Sequence, residues 1–424
     1  MKKLTLALSS LALFGMHSVS ALNQSTYDMV NADVTEVSEA LDKGQSALFL
    51  RARIESDRAN GKTGEANTLA TRLRYATPYL SNFAGLIEFN AVQDVYRRYH
   101  NTGLDLNANK ADLPIIDDAA GSLLNRGFLN YRGLDDTSFV LGRQGIDLDN
   151  GRFVSTYSFR QNPTSYDALT VTNHSVLDIE LFYAYLWQVN NQYATSSASL
   201  GKQQHRSHLL NATYTGFPFG TFIGYTYLLH NKDVSANSSD TFGVRYENRQ
   251  TFLDMKLFYS AEYAEQFSRY GNPNDYKAHY YGLNFETHFQ NIIAIRDLGI
   301  HAGYEVLSGR SDLTDRQFRT VLSDAHAFQG TAGQFTTVPN QGLEDLSVGI
   351  HPLFSEFEAE VVFHRFWTES NHARLGHEWD YTLSKTFERR YTTEVSYAQF
   401  KGTPSLGTVA SANKFWLTAS ATFK

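Results

Sequence analysis

The feature that most constrains this chain is strict alternation of apolar and polar residues, sustained for ten residues or more and repeated along its length. Leu48, Leu50, Ala52 and Ile54 take one parity while Phe49, Arg51, Arg53 and Glu55 take the other. Met255, Leu257, Tyr259, Ala261 and Tyr263 alternate with Lys256, Phe258, Ser260 and Glu262, and Phe357, Ala359, Val361 and Phe363 with Glu356, Glu358, Glu360 and His364. A period of two is the signature of a strand. Strands of soluble sandwiches usually run about five or six residues, whereas a tilted strand crossing a bilayer needs about nine to eleven. Beyond the first residues no stretch approaches about 18 consecutive apolar positions, so spanning helices are excluded. Backbone groups in lipid must be paired internally, and a closed barrel does this without exposed edges. The pattern therefore predicts an all-β fold, a closed antiparallel transmembrane β-barrel.

Both ends of the chain agree with export to an outer membrane. Lys2 and Lys3 precede an apolar run from Leu4 to Phe14 and a small-residue site at Val19-Ser20-Ala21, which reads as a cleaved signal peptide over residues 1–21. Residues 22–45 read as a periplasmic leader, with Val34, Val37 and Leu41 at the spacing of a short helix, and 46–424 as the barrel. Phe415, Leu417, Ala419, Ala421 and Phe423 share one parity in the final strand, like the C-terminal signal read by the barrel-assembly machinery, although Lys424 follows the aromatic. The absence of cysteine leaves no disulfide to hold the exported chain.

Strand signals fall at 46–56, 67–77, 83–95, 123–133, 137–144, 166–173, 176–189, 206–216, 221–231, 240–248, 250–264, 276–289, 292–308, 345–351, 355–368, 374–387, 391–401 and 413–423, about eighteen strands (16 to 18). Short connections, at 78–82, 134–136, 173–175, 217–220, 248–249, 290–291, 351–354 and 388–390, alternate with longer ones, as periplasmic turns alternate with external loops. Segment 145–165 contains a strand-like run from Phe153 to Phe159, but a wall strand there gives an odd total. Reading it as one external loop restores parity, and a loop of that length can fold into the lumen. A weak strand miscounted elsewhere accounts for the parity equally well. The longest connection, 309–344, suits a displayed receptor or adhesin loop as a further reading.

Charge placement bears on what passes through. The chain carries 37 basic and 44 acidic residues, and loss of Lys2 and Lys3 leaves 35 against 44, a net of −9. That balance, with no run of basic residues, excludes a nucleic-acid partner. Between Arg51 and Arg160, however, lie twelve arginines. Arg51, Arg53, Arg72, Arg74, Arg126 and Arg132 occupy the parity opposite the apolar residues, and a charge on the lipid face costs about 2 to 4 kcal/mol at the midplane, so these side chains are expected in the lumen. There they form a basic wall suited to carboxylates. Alternatively they pair with lumen acids such as Glu55, Glu88, Glu180, Glu247 and Glu286 and simply fill a polar interior. Arg143 has the parity of Phe139 and Leu141, which places it at the interface unless a bulge turns it inward.

These residues resemble a known family. Leu50-Arg51-Ala52-Arg53-Ile54-Glu55, Thr68-Leu69-Ala70-Thr71-Arg72-Leu73 and Gly85-Leu86-Ile87-Glu88-Phe89 are similar to the first strands of the alginate export family of outer-membrane porins. Gly142-Arg143-Gln144, Asp149-Asn150-Gly151-Arg152-Phe153, Arg160-Gln161-Asn162 and Tyr166-Asp167-Ala168 resemble its next block, so the likeness covers about residues 40 to 170. It implies an 18-stranded monomeric barrel that passes an anionic oligosaccharide or polyuronate, with Arg51, Arg53, Arg72, Arg143, Arg152 and Arg160 lining the pore. Arg74, Arg126 and Arg132 rest on strand parity alone.

No enzyme, cofactor or metal is expected. His205 and His208 point to opposite faces of a strand, and Asp147, Asp149 and Asn150 lack the rest of a calcium loop. Neither a P-loop nor a nucleophile elbow occurs. Two main function classes remain: a passive channel, with or without anion preference, and a barrel enzyme, which would have a smaller, filled lumen.

Overall fold

In a computed structural model, the described residues are 43–424 apart from 97–98, 104–109, 111, 194–200, 253–254, 293, 311, 313 and 404–408. The expected signal peptide and nearly all of the leader lie outside them. Eighteen strands run in sequence: β1 (Gln45–Ala59), β2 (Lys62–Ala76), β3 (Phe83–Asp94), β4 (Gly121–Leu134), β5 (Thr137–Gln144), β6 (Ser165–Val176), β7 (Ile179–Asn190), β8 (Lys202–Tyr214) and β9 (Thr221–Leu229) form one half. The other half is β10 (Ser239–Phe252), β11 (Met255–Ser268), β12 (Lys277–Ile292), β13 (Ile295–Leu307), β14 (Leu343–Leu353), β15 (Glu358–Trp367), β16 (Arg374–Phe387), β17 (Tyr391–Gly402) and β18 (Ala412–Phe423). Each strand pairs antiparallel with its neighbours in sequence, and β18 pairs with β1, from Leu48 opposite Phe423 to Ala59 opposite Ala412, so the sheet closes on itself.

The alternation becomes two faces. On β1, Arg51, Arg53, Glu55 and Asp57 are buried inside while Ile54 faces out. Outward Leu73, Phe89, Leu129, Leu141, Val244 and Leu283 are exposed large apolar side chains, a surface that only lipid satisfies. Aromatic rings gather where this band ends. Phe83 meets Tyr131 at 4.6 Å, and Phe217 meets Phe219 and Phe222 at 5.5 Å each, beside periplasmic turns, as in an interfacial girdle.

Three local features depart from the sequence reading. β1 and β2 extend to a two-residue turn in which Asn60 (φ 53°) and Gly61 (φ 74°) both take left-handed backbone, the type I′ geometry that matches strand twist. β10 continues past Asn248, whose Nδ2 donates to Tyr259 Oη (3.1 Å) and to the Phe219 carbonyl, because polar groups are tolerated at the interface. In β4 a register shift opposite Glu88 and Phe89 leaves Asn125 extra, so Asn125 and Arg126 are both buried beside Glu88.

Candidate functional site

The connection from β5 to β6, residues 145–164, turns into the barrel. Its carbonyls meet arginines reaching in from the wall. Arg51 donates to Ser158 O (3.0 Å), to Arg160 O and, through Nε, to Gln161 Oε1 (2.8 Å). Arg53 donates to Phe159 O (2.8 Å), and Arg72 to Gln161 O (3.3 Å) and Asn90 Oδ1 (3.0 Å). Gln161 answers by donating its backbone N–H to Asp118 (2.7 Å) and its amide to Thr68 Oγ1 (2.9 Å). A guanidinium, carrying several donors on a long stem, suits this docking because it satisfies carbonyls that have left all regular structure.

Carboxylates complete the cluster unevenly. Arg160 pairs with Glu55 (3.0 Å) and Asp118 (3.6 Å), Arg53 with Asp118 (3.9 Å), and Arg74 and Arg126 with Glu88 (2.6 and 3.9 Å). Among the described residues neither Arg51 nor Arg72 has a carboxylate within ion-pair distance. Burial opposes the charge on Arg160, but Glu55 and then Asp118 outweigh it and hold its pKa well above the ordinary value. Within ion-pair distance, among the described residues, six arginines thus meet three carboxylates, with Asp117 and Glu394 acting from farther off, and positive charge remains in excess.

A second connection, residues 308–342 between β13 and β14, also enters the lumen, burying Phe318, Leu322, Ala332, Phe335 and Val338. The displayed-loop reading of this segment is therefore corrected: its apolar residues need the interior. The two segments are joined by Ser155 N–H to Leu322 O (2.8 Å) and Asp324 N–H to Gly151 O (3.0 Å), and Phe153 packs on Tyr280 (5.1 Å) and Phe318 (5.8 Å). Arg152 forks onto Glu305 of β13 (Nη2 to Oε2 3.1 Å) and also donates to Ser323 (3.1 Å). Further along, Ala332 N–H donates to Glu378 (2.7 Å) and Thr331 to Asp380 (2.7 Å) of β16. Gly330 makes that approach feasible: its φ is +81°, and a Cβ there would stand 2.5 Å from the Glu378 carboxylate.

Of the residues singled out in the sequence, Arg51, Arg53, Arg72, Arg74, Arg126, Arg152 and Arg160 converge on this interior, each at most 9% exposed. They are covered by the infolded segments instead of lining an open bore. Arg132 stands apart, exposed near the periplasmic end with its guanidinium 5.3 Å from the Tyr79 ring. Arg143 does not join them. It keeps the parity of outward Leu141 and forms a bidentate pair with Asp167 of β6 (2.6 and 2.9 Å) on that parity. Of the two readings of Arg143, this arrangement follows its strand parity and departs from the pore position implied by the resemblance, because a facing acid on the neighbouring strand makes an outward arginine tolerable. Of the acids named as candidate partners, Glu55 and Glu88 pair with the basic wall, Glu247 with Arg245 (3.2 Å), Glu286 with His288 (2.8 Å), and exposed Glu180 with His174 (3.6 Å). Gln161, Asn90 and Asp118, which organise the docking, were missed. Gln161 stood in the quoted Arg160-Gln161-Asn162 run, but nothing in it marked an amide as an anchor.

No family model and no curated protein matches the chain. Solved structures do. OccAB2 of Acinetobacter baumannii aligns at TM-score 0.69 with 12% identity over 91% of this chain and 98% of its own. OpdK of Pseudomonas aeruginosa, solved with vanillate, aligns at 0.66 with 12% identity over 90% and 99%, and OccD3 (OpdP) of the same organism at 0.64 with 13% over 89% and 91%. At such identity the likeness is one of fold, and the alginate export family is not among the findings. Closure without edges, an apolar outer band ending in aromatic rings, and neighbours of this kind together make the protein an 18-stranded β-barrel of the bacterial outer membrane.

Proposed function

We propose that the protein is a passive channel for small polar solutes, with carboxylates favoured at a constriction formed by segments 145–164 and 308–342 against the arginine wall. Eighteen strands enclose an interior wide enough for water. In the periplasmic half, inward Asn284, Ser347, Thr382 and Ser396 are half-buried or exposed, as they are when facing a water-filled bore, while the external half is narrowed by the two segments. The observation that carries the reading is the charge surplus around Arg51 and Arg72, which lowers the energy of an entering anion despite the net charge of the chain. OpdK was solved with vanillate, a carboxylate, which supports the same class. A polyuronate cargo gains no support from the comparisons, so the proposal stops at small carboxylates.

A general porin is the second reading. It is favoured by the burial of the same arginines under segment carbonyls, where they serve as anchors. Reversal potentials of the refolded channel in a salt gradient decide between the two. Anion preference in the wild type, shifted toward cations when Arg51, Arg53, Arg72 and Arg74 are replaced together by Gln, supports the first. A nonselective or cation-selective wild type supports the second.

A further inference from the structure

Across the lumen from the arginines, β12, β13 and β14 bring together a set of side chains unrelated to either infolded segment. Glu286 and His288 share the inward parity of β12, Asp297 and His301 that of β13, and His351 that of β14, all toward the periplasmic end. Within this group the ligand atoms of Glu286, His288 and His351 lie within 4.8 Å of one another, and all three side chains are buried. His288 Nδ1 stands 2.6 Å from Asp297 Oδ1 and its Nε2 2.8 Å from Glu286 Oε1. His351 Nε2 is 3.3 Å from the same Glu286 oxygen, yet it makes no hydrogen bond, although the residue is only 8% exposed. A buried imidazole nitrogen within ion-pair range of a carboxylate but without a hydrogen bond is a costly arrangement.

We propose that Glu286, His288 and His351 form a binding site for a divalent transition-metal ion of the zinc type. Two ligand atoms, each about 2.0 to 2.2 Å from a tetrahedral ion, stand about 3.3 to 3.5 Å apart, so the His351–Glu286 spacing already fits and the His288–Glu286 spacing needs to open by about half an ångström. Asp297 occupies the orienting position: by accepting from His288 Nδ1–H it leaves Nε2 for the metal. The proton that His288 Nε2 shares with Glu286 is released when the ion takes its place. Two imidazoles and one carboxylate suit zinc, nickel or copper better than calcium or magnesium, and leave a fourth position open to the lumen for water or a passing carboxylate.

The backbone has been cleared for these rings. His351 lies directly across β13–β14 from Gly299, where a Cβ would fall 1.9 Å from its Nε2, and His301 lies across from Gly349, where a Cβ would fall 2.3 Å from its ring. The tips of both rings therefore occupy space that only glycine leaves free. Residues from three strands, with more than fifty positions between His288 and His351, give no local ligand spacing, so the cluster is invisible to a motif search.

The test uses the full-length barrel folded in detergent, with zinc chloride alone as the probe and titration calorimetry as the readout. One ion per barrel is expected. Binding should weaken at least about tenfold in His351→Ala and in His288→Ala, and by a similar factor in Asp297→Asn, which touches only the orienting contact. His372→Ala, an exposed histidine between β15 and β16, should bind as wild type. His351→Gln replaces His351→Ala if the latter fails to show heat-modifiable migration. Cobalt(II) gives a second readout, with the visible absorption of a tetrahedral complex in the wild type and its loss in the variants. Wild-type protein that binds no zinc, or zinc that binds equally to the His288→Ala/His351→Ala double variant, overturns the site.

Discussion

Two arcs of the lumen wall solve the same problem with different charges. β1 to β4 present Arg51, Arg53, Arg72, Arg74 and Arg126, while β13 to β16 present Glu305, Asp345, Glu378 and Asp380, with His364 between the two aspartates. Each wall holds an infolded segment, but by different atoms. The basic wall donates to carbonyls at 158–161, whereas the acidic wall accepts from N–H groups at 331–332 and from the Arg152 guanidinium. A segment lying in the lumen can thus be gripped by both arcs, through its carbonyls at one and its donors at the other. Lumen charge thus has two uses. It satisfies backbone that has left the sheet, and only the remainder acts on a solute.

The largest effect is expected from removing the segment that both walls hold. Deleting residues 146–163 and closing the gap with a short turn should raise single-channel conductance several-fold in planar bilayers. Unchanged conductance would count against an inward segment as the constriction.

Next in size is an asymmetry in selectivity. Arg51→Gln with Arg72→Gln removes the two guanidiniums without carboxylates and should move the reversal potential toward cations. Glu378→Gln on the acidic wall should loosen segment 308–342 and raise current noise without turning selectivity toward cations.

Glu55→Gln should act on stability. It takes the nearest carboxylate from buried Arg160, and breaking a buried pair costs about 3 to 5 kcal/mol, so undocking should appear as open-channel noise and as protease cutting within 145–164 of a still heat-modifiable barrel. Wild-type protease resistance would show that the Arg51 and Arg53 bonds suffice.

The smallest effect concerns pH. Burial pushes Asp324 up to about 6 from its ordinary 3.8, against the N–H of His326 and Ala327, which favour the charged form. Its folded-state pKa is raised, so the docked segment is relatively most stable below the ordinary value and loses that advantage as pH rises through about 6. Conductance should therefore fall modestly between pH 7 and pH 5, and Asp324→Asn should abolish the change.

Much of the wall was legible because a period of two admits only one arrangement of Leu50, Ala52 and Ile54 against Arg51, Arg53 and Glu55 once lipid lies on one side. β5 and β16 match their expected bounds exactly on that basis. Less legible were features set by partners far away in sequence. Arg143 keeps the outward parity its own strand shows, but the Asp167 opposite it, which makes that placement tolerable, lies on a strand that its own residues do not reveal. Whether Arg51 meets water, an acid or a carbonyl depends on where residues 158–161 come to rest, more than a hundred positions later. The Asn60-Gly61 turn is legible by its composition, but the polar residues flanking it, 57–59 and 62–66, lack the alternation that marks the strands they extend.

The pairing of β18 with β1 has a consequence for how the barrel is made. Every other ladder joins neighbours in sequence, so hairpins can form one after another with little loop entropy to overcome. The seam from Leu48–Phe423 to Ala59–Ala412 joins residues nearly the whole chain apart and cannot form until the last strand is delivered. Until then β1 and β17 present open edges, each a template for pairing with another chain. Shortening the chain before Ala412 should therefore yield an aggregating sheet in place of a smaller barrel.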